Sequence, residues 1–62
     1  MIGENIKAAR LAAGMTQKEL AEKIGVPYQS VQRWEKGAFK PSLDNLIKLA
    51  AALGKTVEEL AK

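Results

Sequence analysis

Sixty-two residues with no cysteine and no histidine exclude disulfide staples, thiolate or imidazole metal sites and the usual general base. Neither catalysis nor a cofactor is expected, and a core this small must be held by packing and helix capping. Ten Lys and Arg against seven Asp and Glu leave a net charge of +3, a mild basic excess that leans toward nucleic acid.

No apolar run approaches the roughly 20 residues of a membrane span, and Met1 leads directly into a helical pattern without a signal-peptide block. The expectation is a cytoplasmic protein made of one domain, residues 1–62, with no membrane and no small-molecule substrate.

The first helix is expected over 2–13, where Ile2, Ile6, Ala9 and Ala13 recur at helical spacing before Gly14. Thr16-Gln17-Lys18-Glu19 has the capping-box form and opens a second helix, 17–24, with Leu20, Ala21 and Ile24 on its apolar face. A third, 28–36, lies between Pro27 and Gly37. Ser42 then caps a fourth, 43–53, whose inward residues are Leu43, Leu46, Leu49, Ala50 and Leu53. A second capping box, Thr56-Val57-Glu58-Glu59, starts a short fifth helix, 57–61, in which Val57 and Leu60 close the core. The fold class is therefore all-α, a compact five-helix bundle.

From Gln17 to Glu35 the residue types fit a helix-turn-helix. Ala21 is small where the two helices come closest, Gly25 can take the positive φ of a sharp turn, and Val26, Val31 and Trp34 supply the apolar contacts behind it. On a helical wheel Tyr28, Gln29, Gln32, Arg33 and Lys36 form one stripe, opposite Ser30, Val31 and Trp34. Such a stripe is by itself an ordinary solvated face; the helix-turn-helix around it makes it a candidate reading surface. Gln suits adenine N6 and N7, Arg suits guanine O6 and N7, and a Tyr ring can touch a thymine methyl. The base-contacting candidates are Arg33, Gln29, Gln32 and Tyr28, while Trp34 is assigned to the core because Val31 shares its side.

The run Thr16-Gln17-Lys18-Glu19-Leu20-Ala21-Glu22-Lys23-Ile24-Gly25-Val26, followed by Val31, Trp34-Glu35 and Gly37, resembles the phage repressor and Cro family, the lambda-repressor-like helix-turn-helix proteins. The likeness continues through Pro41-Ser42-Leu43-Asp44-Asn45-Leu46 and Leu49-Ala50-Ala51-Ala52-Leu53-Gly54 and includes Arg10. It implies a repressor-like regulator of a bacterial or phage type that binds double-stranded DNA with helix 28–36 in the major groove. One such domain covers only a few base pairs, so high affinity calls for a homodimer on a two-fold site or a tandem arrangement; the fifth helix is the expected place of contact between copies. Phosphate contacts are expected from Gln17, a position this family uses, and from Lys36, Lys40, Ser42 and Asn45 around the following loop and helix start, with Lys18 a weaker candidate. Lys48 and Lys55 are read as solubility charges.

The resemblance further implies an ion pair between Arg10 and Glu35, structural in role. If the pair is buried, removing one partner costs about 3–5 kcal/mol; if exposed, the pair is worth about 0–1 kcal/mol. Pro27 departs from the family pattern, which often has Ser or Thr there as a cap, so the entry angle of helix 28–36 depends on proline's fixed φ. The alanine runs and regular caps are also what an idealised or engineered sequence would carry. The competing reading is a protein-interaction module on the same fold, an antitoxin or coactivator-type adaptor. It calls for an apolar or acidic face, where this chain has Arg33 and Lys36 beside Gln29 and Gln32.

Overall fold

The computed structural model describes all of residues 1–62. Five helices follow in order: α1 (Ile2–Ala12), α2 (Gln17–Ile24), α3 (Tyr28–Lys36), α4 (Leu43–Leu53) and α5 (Val57–Ala61), with no strand. Four of the five have the bounds expected from caps and glycines.

The exception is α1, which ends one residue early. Ala13 has flattened to φ −84° and ψ 0°, and the chain then folds back, with the Gly14 N–H donating to Leu11 O at 3.0 Å and the Met15 N–H to Arg10 O at 3.1 Å. Ala13, whose own N–H still donates to Ala9 O at 3.0 Å, sits at this closing turn past the last buried residue of α1 and is exposed rather than inward.

The core comprises Ile6 and Ala9 from α1, Leu20, Ala21 and Ile24 from α2, Val31 and Trp34 from α3, Leu46, Leu49, Ala50 and Leu53 from α4, and Leu60 from α5. Within it α3 packs on both α1 and α2, while α4 packs on α2 and α5. Leu43 was expected inside and is 67% exposed. It lies on nearly the same wheel angle as buried Ala50, but at the first residue of α4, ahead of the helix's first buried residue, Leu46.

One glycine that sequence reasoning passed over fixes how α1 meets α3. A Cβ on Gly3 would lie 2.9 Å from Glu35 O and closer still to Trp34 O, so only a bare Cα lets the start of α1 rest on the last turn of α3.

Candidate nucleic-acid interface

The placement of α3 is set by what precedes it. In α2 the Thr16 hydroxyl accepts from the Glu19 N–H at 3.0 Å and Glu19 accepts from the Thr16 N–H at 2.8 Å, which caps the helix start on which Gln17 sits. At its far end Gly25 takes φ +75°, and the Gly25 and Val26 N–H groups both close on Ala21 O, at 2.9 and 3.0 Å. The turn is therefore tight and hydrogen-bonded.

Pro27 then starts α3 from φ −61°, with no side-chain cap, and its carbonyl accepts from the Ser30 N–H at 3.0 Å. The missing hydroxyl leaves the first turn intact because proline's φ already suits it. Val31 and Trp34 are buried and anchor the inner side of α3.

Outward, the structure gathers the predicted stripe on one face. Gln29, Arg33 and Lys36 are exposed, and Tyr28 and Gln32 are half-buried. No side-chain donor or acceptor of Gln29, Gln32, Arg33 or Lys36 is engaged within the protein. Tyr28 differs from the rest, since its ring leans on the edge of the core with the Lys18 ammonium 5.6 Å from its centre. Its ring is thus partly committed to packing, and its hydroxyl is the freer end.

Behind the stripe, Arg10 and Glu35 form a two-pronged pair, with Nε to Oε2 at 2.7 Å and Nη2 to Oε1 at 3.0 Å. Their side chains are 9% and 4% exposed, which places the pair among buried ones. Arg10 Nη1 also donates to Met15 O at 2.8 Å, and no buried polar side-chain atom in the chain lacks a partner. The hydrogen bonds to Glu35 raise the Arg10 pKa above its ordinary value; burial opposes that rise and the Glu35 charge adds to it.

The same network reaches Gln17, whose amide nitrogen donates to Glu35 Oε1 at 3.1 Å. One amide hydrogen is engaged there and the other has no partner within the protein. Three helices are therefore joined through one carboxylate, with Gln17 oriented by it.

Lys36 and Lys40 line a groove of about 500 Å³ between the start of α1 and the end of α3, together with Phe39. At the next helix the Ser42 hydroxyl oxygen accepts from the Asn45 N–H at 3.2 Å, which leaves its own O–H available. Ser42 is exposed and Asn45 half-buried. Phe39, 62% exposed beside the stripe, was not singled out from sequence; its only signal there was an aromatic residue in the loop between Lys36 and Lys40, ahead of the Ser42-capped helix. No group of three or more acidic, His or Cys side chains is placed to hold a metal ion, and no helix is long and apolar enough to cross a membrane.

The chain as a whole has counterparts among known proteins. The helix-turn-helix family matches residues 6–60. The transcriptional repressor RstR of the cryptic phage CTXphi from Vibrio cholerae is 36% identical over 59 residues, which is 95% of this chain and 53% of that protein. The chain spans about half the length of curated relatives such as this one. Among solved structures, the Bacillus subtilis biofilm regulator SinR in complex with DNA superposes with a TM-score of 0.94 at 36% identity, covering 100% of both chains. The P22 c2 repressor in complex with a synthetic operator gives 0.92 at 30% identity, covering 97% of this chain and 91% of the other. With these matches over almost its whole length, the chain belongs to the phage-repressor-like helix-turn-helix family.

Proposed function

We propose that the chain binds double-stranded DNA sequence-specifically, with α3 in the major groove, and acts without catalysis as a repressor-like transcriptional regulator that occupies its site. The observation that carries this is the division of α3: its inner side is anchored by Val31, Trp34 and Glu35, while Gln29, Gln32 and Arg33 face out with free hydrogen-bonding groups. A base edge needs donors and acceptors held on a rigid element, and this helix supplies both.

In this reading Arg33, Gln29 and Gln32 contact bases, and the Tyr28 hydroxyl reaches the rim of the groove. Gln17, through its remaining amide hydrogen, and Lys18, Lys36, Lys40, Ser42 and Asn45 contact phosphates. The 62 residues act as one unit in a bacterial or phage-type cytoplasm.

A second copy on a two-fold site supplies the affinity that one domain lacks. α5 turns Leu60 fully inward and Val57 partly so, which leaves little apolar surface there. Leu43 and Ile47, 67% and 51% exposed one turn apart on α4, lie beside the proposed phosphate contacts and are the better surface for contact between copies.

The test is selection of bound sites from a random duplex library by the unaltered chain, Arg33→Ala and Gln29→Ala, followed by titration at several salt concentrations. A site that loses information at particular base pairs in each variant, with two-fold symmetry, is the expected result. Binding that enriches nothing and fades with salt equally in all three proteins sinks the proposal.

A further inference from the structure

Beyond the end of α3 the chain turns back on itself and brings the ring of Phe39 to 5.8 Å from the Arg33 guanidinium carbon. Burial does not explain the placement, since the ring is 62% exposed and lies outside the core. The backbone does: Arg33 O accepts from the Ala38 N–H at 3.0 Å and from the Phe39 N–H at 3.4 Å. The two side chains thus stand on backbone segments that are hydrogen-bonded to one another.

Arg33 has no other directed side-chain contact, because the one ion pair in the chain joins Arg10 to Glu35 and no side-chain hydrogen bond involves Arg33. A carboxylate beside it would occupy the N–H groups that a guanine edge needs. A ring attracts the cation through its π face and leaves those donors free. An arginine already restrained also loses less rotamer freedom when it binds. The contact between Lys18 and Tyr28 is different in kind, since the Tyr28 ring leans on the core whether or not the lysine is present.

We infer that Phe39 is a positioning residue for Arg33, restraining the guanidinium by a cation–π contact so that it meets its base pair in reading geometry; this rests on α3 being the recognition helix. The variant that tests it is Phe39→Leu, which keeps an apolar side chain and removes the π face, with Phe39→Tyr as the conservative rescue. Binding of the whole chain is measured on the selected site, on the same site altered at the base pair that Arg33 reads, and on unrelated duplex.

Phe39→Leu is expected to weaken the selected site by about 2- to 5-fold, the range for an exposed cation–π contact, and to flatten preference at the Arg33 base pair. Unrelated duplex, the salt slope and the thermal midpoint stay unchanged, Phe39→Tyr restores binding, and Phe39→Leu adds nothing in an Arg33→Ala background. A loss that persists in that background means that Phe39 touches DNA itself, and binding equal to the unaltered chain means that the ring is idle; either overturns the inference alone. If the unaltered chain selects no site, the recognition reading fails and this one with it.

Discussion

On the inner side of α3, Glu35 accepts three side-chain hydrogen bonds, two from Arg10 and one from Gln17, while Val31 and Trp34 are buried. On the outer side, within the same nine residues, the side chains of Gln29, Gln32, Arg33 and Lys36 have no hydrogen-bond partner in the protein. The contrast shows how a small domain can keep a polar surface open without losing its fold: the satisfied side fixes the helix, so the unsatisfied side need not collapse onto anything. Substitutions on the two sides should therefore separate stability from recognition.

The largest effect is expected from Glu35→Ala. It strands the Arg10 guanidinium with Met15 O alone and releases Gln17, at a cost of about 3–5 kcal/mol, most of what a domain of this size commands. Urea denaturation reads it directly. Replacing both partners with apolar residues, Arg10→Met with Glu35→Leu, should recover much of that loss, since the penalty comes from the unpaired charge. A loss below about 1 kcal/mol for Glu35→Ala would mean that the pair behaves as an exposed one.

Gly3→Ala acts on the same seam with no charged or polar side chain involved. Its methyl meets the Trp34 and Glu35 carbonyl oxygens, which are backbone and cannot swing aside, so α1 must shift on α3 at about 1–3 kcal/mol. Helix propensity alone favours alanine over glycine by about 1 kcal/mol, so a stabilised variant would show that the seam yields easily. Once allowance is made for the unfolded fraction, base preference should be unaltered.

Arg33→Ala and Gln29→Ala invert this pattern. Each side chain is exposed and makes no hydrogen bond or ion pair within the protein, so the unfolding free energy should stay within about 0.5 kcal/mol of the unaltered chain. Site-specific binding should fall by about 1–3 kcal/mol per lost base contact, measured by titration against the selected duplex. Equal loss on specific and unrelated duplex would demote the residue from base to phosphate contact.

Which of these features can be read from the sequence follows from the range of the forces involved. Caps at Thr16, Ser42 and Thr56 and the glycines after the helices act within a few residues, so four helices have the bounds that local signals imply. Ala13 and Leu43 were misplaced because periodicity presumes a neighbour along the whole helix, and both lie at helix ends where the neighbour stops. The outward stripe of α3 follows from its wheel, yet the partial burial of Tyr28 depends on the core edge that α3 enters at its first turn. Gly3 beneath the last turn of α3, the burial of the Arg10–Glu35 pair and the link to Gln17 exist only once α1 and α2 have both packed on α3. No local pattern encodes them.

The two capping boxes sharpen the comparison further, because one motif stands in two settings. Thr16 caps the helix that carries Gln17 into the Glu35 network, whereas Thr56 caps α5, away from α3. Thr16→Ala and Thr56→Ala should each cost about 1 kcal/mol of stability, but only the first should also weaken DNA binding in the folded protein. Acid gives a second handle on the distal box. The Thr56 backbone N–H, and then its hydroxyl, favour the charged Glu59 carboxylate and lower its pKa from the ordinary 4.5. A group whose pKa is lowered by folding stabilises the protein fully above its unfolded value, and that contribution fades as pH falls through the lower folded value. Chemical denaturation followed from pH 6 downward should therefore show a component of acid destabilisation beginning near the ordinary glutamate range, smaller in Glu59→Gln. An identical acid slope in both proteins would show that the box holds α5 by geometry, without help from the carboxylate charge.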